Sequence, residues 1–396
     1  MDIPSFWRET APQVPTTPGK PPAVVDVAVV GAGLSGLSVA RWLAEAGRAV
    51  VVLDRTGIGG GASARNGGIV APGLVDGISL GIARYGRDGA RALLRMTWQS
   101  LEIIREVEAQ APFPLELELP GRLTLARNEA ELAALHENAR HLAEEGETVR
   151  HADPSDLPEP FRDAYIGGII LEGGFVHSGR LTMAFGARAM EAGARVYAPF
   201  QVEQVEREAE GFVVRGAGEE IRAREVVLAT NGFTWRVLPA VPIAPQRGQM
   251  IVTEPLPPVL HYSMSARQGF DYFHQRKDGR LVAGGFRDLD FESEATDDMV
   301  LNDEIQAALT RLAATVAGHT PVVEWRWSCI MGFTPDHLPV AGQLDDGLYV
   351  TAGFSGHGVV MAPRVGQFVA EAMMGRPVPE LQLFAPDRAG LAGPPL

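Results

Sequence analysis

Apolar residues along this chain fall into short unbroken runs and into stretches of helical spacing. Residues 27–30 form an unbroken run that stops at Gly31. Gly33 and Gly36 follow, then Val39, Ala40 and Leu43 at helical spacing, and Gly47 closes the stretch. A second run at 49–53 ends in Asp54. Unbroken runs read as buried strands, and the three-to-four spacing reads as an amphipathic helix. Residues 25–54 are therefore predicted as strand, glycine-rich turn, helix, strand and acid. Helical spacing recurs at 87–110, 128–146, 181–192, 302–316 and 359–374. Alternation predicts a hairpin at 116–127 around Pro120-Gly121, another from 202–205 and 211–214, and antiparallel strands over 255–288 joined at Lys277-Asp278-Gly279. Strands are also predicted at 225–229, 322–333 and 348–352. Residues 1–23 have no periodicity and several prolines; they read as an arm on the surface, anchored by Phe6 and Trp7.

The glycines of the opening unit each answer a physical need. Gly31 allows a tight turn, Gly33 lets the backbone approach a pyrophosphate, and Gly36 lets the helix pack close to the sheet. The helix starting near Leu34 directs its N-terminal N–H groups and positive dipole end at that phosphate. Asp54 is placed to accept hydrogen bonds from ribose hydroxyls. This unit alone leaves FAD and NAD both open, and with them an NAD-dependent dehydrogenase. The loop at 55–73 starts where Asp54 delivers the chain to the nucleotide, so its glycines read as a wrap around the cofactor, with Ser63, Arg65 and Asn66 as polar contacts. Near the end of the chain the strand at 348–352 meets a second glycine-rich turn, Gly353, Gly356 and Gly358, and then a helix. Two helix N-termini suit FAD, with its pyrophosphate at one end and an electron-rich flavin edge at the other.

Composition narrows the field. The chain has 396 residues, 46% of them hydrophobic and 21% charged, enough for about two domains with large cores. The formal net charge of -14 disfavours nucleic acid as a partner. Cys329 is the single cysteine, which excludes an intrachain disulfide, a zinc–cysteine cluster and CxxC redox chemistry. No apolar signal core and no run of 18 apolar residues are present, so the expectation is a soluble cytoplasmic protein without a membrane span.

Together, VAVVGAGLSGLSVARWLAEAG near the start and AGFSGHGVVMAPRVGQFVAEAM near the end resemble the D-amino-acid-oxidase-like superfamily of FAD-dependent amine oxidoreductases. GASARNGG, FDYFHQRKDGRLVAGG and SFWRETAP are most similar to its gamma-glutamylputrescine oxidase branch. The resemblance implies an α/β FAD-binding domain of Rossmann-like type, from residues 24–86, 158–240 and 328–396. It also implies an interleaved α+β substrate domain from 87–157 and 241–327, carrying a mixed, largely antiparallel sheet.

Carried over by position, Gly31, Gly33, Leu34, Ser35 and Gly36 hold the pyrophosphate, and Asp54 with Arg55 the ribose. Gly61, Ala62, Ser63, Arg65, Asn66, Gly67 and Gly68 follow the ribityl chain and flavin. Val202 meets adenine through its backbone, and Thr230, Asn231, Gly232 and Gly332 line the channel. Gly353, Ser355, Gly356, His357, Gly358 and Val359 serve the pyrimidine edge.

The implied reaction is hydride transfer from a primary or secondary amine to flavin. The resulting imine hydrolyses to aldehyde plus ammonia or amine, and peroxide forms if dioxygen is the acceptor. An amino-acid oxidase or dehydrogenase of glycine, sarcosine or D-amino-acid type stays open, as does a flavin-carrying subunit without its own turnover. Alternation puts Tyr272 and His274 on one strand face, and Trp325 and Trp327 on another. These four are the candidate substrate pocket, with Arg65 and His357 nearer the flavin and His274 as a candidate base. Three departures from the family pattern stand out. Met331 occupies the place of a carboxylate-gripping arginine, which favours an amine over an α-amino acid. Val282 occupies the place of a lysine that promotes reaction with dioxygen. Cys329 lies near a covalent-tether position, although non-covalent FAD is expected.

Overall fold

The structure is a computed structural model describing residues 3–392. Residues 1–2 of the expected arm and 393–396 of the last expected cofactor segment lie outside the described residues. The run ending at Gly31 forms the strand Val24–Val30, whose last four residues are almost wholly buried. It pairs in parallel with Val50–Leu53 on one side and Glu219–Leu228 on the other. Arg195–Tyr197, Leu348–Ala352 and the antiparallel strand Val340–Asp345 complete the row, and the hairpin Val202–Glu208 with Gly211–Gly216 extends it to eight strands. A sheet of this kind needs cover on both faces, hence the unbroken apolar runs. The helices Leu34–Glu45 and Gly358–Met373 pack against each other on one face. A Cβ at Gly366 would lie 2.7 Å from Ser38 Cβ, so a glycine is required at that crossing.

The second sheet also has eight strands, in the order Val323–Phe333, Ala244–Pro255, Arg280–Gly285, Asp271–Gln275, Ser263–Ala266, Arg122–Ala126, Gly167–Leu171 and Val149–Ala152. All its pairings are antiparallel except that of Ser263–Ala266 with Arg122–Ala126. Leu123, Phe273, Leu281 and Ala283 face one way into a core that also holds Ile305, Leu309 and Ala313 of the helix Asp303–Ala317. The alternating positions Arg122, Thr124, Ser265 and Tyr272 face a cavity.

Several expectations are corrected. The hairpin at 116–127 is a single strand, Arg122–Ala126. Its expected first arm bridges Phe175 instead, with Glu118 N donating to Phe175 O and Gly121 N to Gly173 O, both at 2.9 Å. The helix expected from 87 starts at Ile78 and is broken at Gly86, where φ is 70°. Gly167–Leu171, expected with the cofactor segments, pairs inside the second sheet, and Val323–Phe333 runs across the expected boundary at 327/328.

Phe6 and Trp7 anchor the N-terminal arm as expected, and residues 12–23 are half-buried or exposed. Phe6–Thr10 is helical, Trp7 has no exposed surface, and Phe6 is 4% exposed. No helix among the described residues is long and apolar enough to cross a membrane.

Candidate functional site

A continuous cavity of about 970 Å³ is lined by residues of both sheets. Its first stretch is the glycine turn. Gly31 sits at φ +113° with its Cα against Ala229 O, and a Cβ there would approach to 2.5 Å. Gly33, Leu34 and Ser35 line the cavity, and Leu34 N–H donates to Ser63 Oγ at 2.9 Å. Gly36 does not line it; a Cβ at Gly36 would lie 2.1 Å from Gly31 O, so this residue serves the packing of turn on helix. Asp54 lines the cavity and ties two turns together. Its Oδ2 accepts from Ala32 N at 2.8 Å, and its Oδ1 accepts from Thr56 N and Gly57 N at 2.8 and 2.9 Å. Beside it lie Arg55, whose guanidinium stacks 3.9 Å over Phe233, and Val202.

The loop at 61–68 forms the middle of the wall. Gly61, Ala62, Ser63, Asn66 and Gly67 line the cavity. Asn66 folds the loop on itself, accepting from Gly68 N at 2.7 Å and donating to Ala62 O at 2.9 Å. Gly68 lies behind the wall at φ +72°, where a Cβ would meet Val176 O at 2.6 Å. Arg65 is corrected: it is fully buried, its Nε donates to Ser328 O at 2.8 Å and its Nη2 to Ile3 O at 2.6 Å, and it does not line the cavity.

Thr230 and Asn231 line the far side. Asn231 Oδ1 accepts from Gly353 N at 3.0 Å, linking that turn to the closing one. Gly232, Gly332 and Gly353 stand back from the cavity and allow these backbones to cross; Cβ atoms there would lie 2.5 Å from Met331 O, 2.8 Å from Asn231 Oδ1 and 2.7 Å from Thr334 Cγ2. Ser355, Gly356, His357, Gly358 and Val359 line the last stretch at the N-terminus of the closing helix. Burial pushes the His357 imidazole down to about 4, so it is neutral at neutral pH.

The second sheet supplies the remaining wall. Tyr272 lines the cavity, its ring wedged where Gly67 and Gly284 have no side chains; Cβ atoms there would lie 2.7 and 2.5 Å from the ring. Burial raises its phenol well above the usual range, so it stays protonated. His274 shares its strand face but is corrected as a base. Its ring lies behind Gly67, stacked 4.2 Å from Phe175, with Nε2 3.1 Å from Gly67 O. Burial pushes it down to about 3, so the neutral ring donates to that carbonyl.

Trp325 and Trp327 are likewise corrected. Trp327 is fully buried and donates to Arg65 O at 2.8 Å, Trp325 meets Phe6 edge-on at 5.9 Å, and neither lines the cavity. Val282 packs into the same cluster with Phe6, Trp7 and Trp327. Met331 and Cys329 do line the cavity, and burial pushes the Cys329 thiol up to about 12.

Arg122 and Arg287 are among the cavity residues that escaped sequence reasoning. The alternation Arg122-Leu123-Thr124-Leu125 carried a signal for the first. Arg287 follows Phe286, which sits at φ 59°, so the strand's alternation no longer predicts where it faces.

Residues 26–372 match the family described as FAD dependent oxidoreductase (DAO). The chain is 32% identical to gamma-glutamylputrescine oxidoreductase of Escherichia coli (strain K12), over 88% of this chain and 84% of that protein. It is 25% identical to glycine oxidase of Geobacillus kaustophilus (strain HTA426), over 87% of this chain and 92% of that protein. The fold matches the crystal structure of glycine oxidase from Geobacillus kaustophilus with a TM-score of 0.82 at 21% identity, covering 93% of this chain and 99% of that one. It also matches L-proline dehydrogenase from P. horikoshii, with a TM-score of 0.78 at 22% identity, covering 92% and 97%.

Proposed function

This chain belongs to the FAD dependent oxidoreductase (DAO) family, and from that premise we propose that it oxidises the C–N bond of a primary or secondary amine. The imine product then hydrolyses to an aldehyde and ammonia or a smaller amine. FAD, when bound, supplies the hydride-accepting centre.

The residues present fit that cofactor. The helices Leu34–Glu45 and Gly358–Met373 both open onto the cavity, and neither has an acidic residue in its first turn. The helices Glu129–Glu144 and Asp303–Ala317, by contrast, have acidic first turns capped by Asn128 and Asn302. The two cavity helices thus keep their positive ends for an anionic or electron-rich ligand. Gly31, Gly33, Leu34 and Ser35 would hold the pyrophosphate, Asp54 and Val202 the adenosine, the 61–67 loop the ribityl chain, and Ser355–Val359 the flavin edge. Attachment is non-covalent in this reading, since the buried Cys329 thiol stays protonated at neutral pH and a tether needs the thiolate.

One observation carries the proposal: the same cavity continues past both helix N-termini to Tyr272, Met331 and Phe333. Tyr272 lines that wall with a neutral side chain, its hydroxyl donating to Met250 Sδ at 3.5 Å. Met331 and Phe333 make the wall apolar, which favours the unprotonated amine that the reaction requires. The E. coli relative's name points to an amine derivative as its substrate, in line with this reading. Whether dioxygen or another acceptor takes the electrons is read from the products. Incubation with a panel of amines and amino acids is expected to yield an aldehyde with ammonia or a smaller amine, and peroxide when dioxygen is the acceptor. Failure of every amine to give an aldehyde contradicts the proposal.

A further inference from the structure

Three of this chain's buried guanidinium groups meet carboxylates, while that of Arg65 donates to backbone carbonyls. Arg247 meets Glu294 at 2.7 Å, Arg388 meets Asp336 at 2.7 Å, and Arg41 meets Glu45 at 2.8 Å. Two cavity residues break the pattern. The Arg287 guanidinium has no hydrogen bond and no carboxylate within ion-pair distance among the described residues. It instead rests on aromatic faces, 4.2 Å from the ring centre of Phe333 and 5.2 Å from that of Phe270. The acids near it, Asp271 and Asp288, are both taken by Arg267.

Arg122 is the second exception. Its Nη2 donates to Pro72 O at 3.0 Å, and its Nε is buried with no partner. The nearby acid Glu147 is occupied by Trp98 Nε1 at 2.7 Å. Burial depresses both arginines, that of Arg122 to about 10, the signature of cations held without enough compensating charge.

The two lie on opposite sides of Tyr272. Tyr272 pairs with Ser265, and Ser265 with Thr124, so the strand of Arg122 is two strand spacings away, about 10 Å. Arg287 follows Gly285, which pairs with Asp271 next to Tyr272 on the other flank. The nucleotide end of the cavity has its own arginines, Arg55 and Arg236, both over Phe233. Two unpaired cations in a low-dielectric cavity call for two anionic groups on whatever fills it, because an isolated buried charge costs several kcal/mol.

We infer that the amine accepted here carries two carboxylates, one held by Arg287 and one by Arg122, with the reacting C–N bond between them beside Tyr272. This rests on the amine-oxidation reading above. The fork geometry of guanidinium makes each grip bidentate and selective for a planar carboxylate.

The test titrates flavin-loaded protein with succinate, glutarate, adipate and pimelate, each against the monocarboxylate of equal carbon count, following the flavin absorbance shift. Expected is a dicarboxylate that binds at least tenfold tighter than its monocarboxylate partner, with that advantage lost in both Arg287→Met and Arg122→Met and partly kept in the lysine variants. Dicarboxylates that bind no tighter than monocarboxylates in the unmodified protein overturn the inference, with no variant required. So does an advantage that survives either methionine substitution in a protein that still holds flavin. Arginine-dependent dicarboxylate binding, together with an amine panel that yields no aldehyde, would remove the amine-oxidation reading and leave the two anion subsites standing.

Discussion

Tyr272 lines the cavity, presses its ring against two glycines, Gly67 on the loop and Gly284 on the neighbouring strand, and donates its hydroxyl to Met250 Sδ at 3.5 Å. Loss of one hydrogen bond is worth about 1 kcal/mol. Tyr272→Phe is therefore expected to lower kcat/KM by about fivefold to tenfold on the true substrate. Unchanged turnover removes Tyr272 from the site.

His177 and His274 carry a pH dependence of their own. Burial pushes each to about 3, from an ordinary value near 6.5. The unfolded rings take up protons below about 6.5 while the folded rings do not until about 3, so stability falls as pH drops through that window. At pH 5 the loss is at most about 2 kcal/mol per ring relative to neutral pH. Urea denaturation at pH 7.5 and pH 5 reads it, and His274→Gln is expected to flatten the dependence. Equal slopes for wild type and variant contradict the account. Cys329→Ser is expected to retain flavin, and acid precipitation of the unmodified protein is expected to leave the yellow colour in solution; flavin that stays with the pellet means a covalent bond.

Residues differ in how far the sequence revealed them. The glycines of the two turns stood out because their spacing is tied to a backbone need. His274 did not, because alternation gives the face of a strand but not what covers it, and here Gly67, Phe175 and Trp7 do.

Among the elements, the short helix Phe6–Thr10 stands apart from what its sequence suggests. Trp7 Nε1 donates to Asn66 O at 2.6 Å and Ser5 Oγ to Ala64 O at 2.8 Å, so the N-terminal arm braces the back of the 61–68 loop, the proposed cofactor wrap. Arg65 Nη2 answers by donating to Ile3 O. A prolin-rich segment without periodicity carries no trace of such long-range pairing, which is why it read as a surface arm. Trp7→Phe keeps most of the packing but leaves a buried carbonyl unpaired, at a cost of about 1–3 kcal/mol. Flavin affinity is expected to fall about tenfold, measured by equilibrium dialysis. An unchanged affinity means that the brace does not hold the loop. The predicted hairpin at 116–127 failed for a related reason: Pro120-Gly121 does turn the chain, but Gly173 and Phe175 offer the preceding residues a better edge.

On the scale of the whole molecule, the parallel sheet was visible as unbroken apolar runs, and the second sheet as alternation. Their interleaving was not visible from periodicity, because a strand such as Gly167–Leu171 carries no mark of which sheet it joins; only its pairing with Arg122–Ala126 decides it. The resemblance to the family supplied the interleaving that the pattern lacked. The arrangement places a cavity between the two sheets, and under the proposal its first-sheet end takes the nucleotide and its second-sheet end the substrate. The central claim is that this substrate end oxidises an amine through the bound flavin. Anaerobic mixing of the flavin-loaded protein with the amine and amino-acid panel, followed by the absorbance of the flavin, tests it most directly. Bleaching by an amine, reversed on admitting air or another electron acceptor, is the predicted result. A yellow colour that no amine in the panel removes contradicts the account.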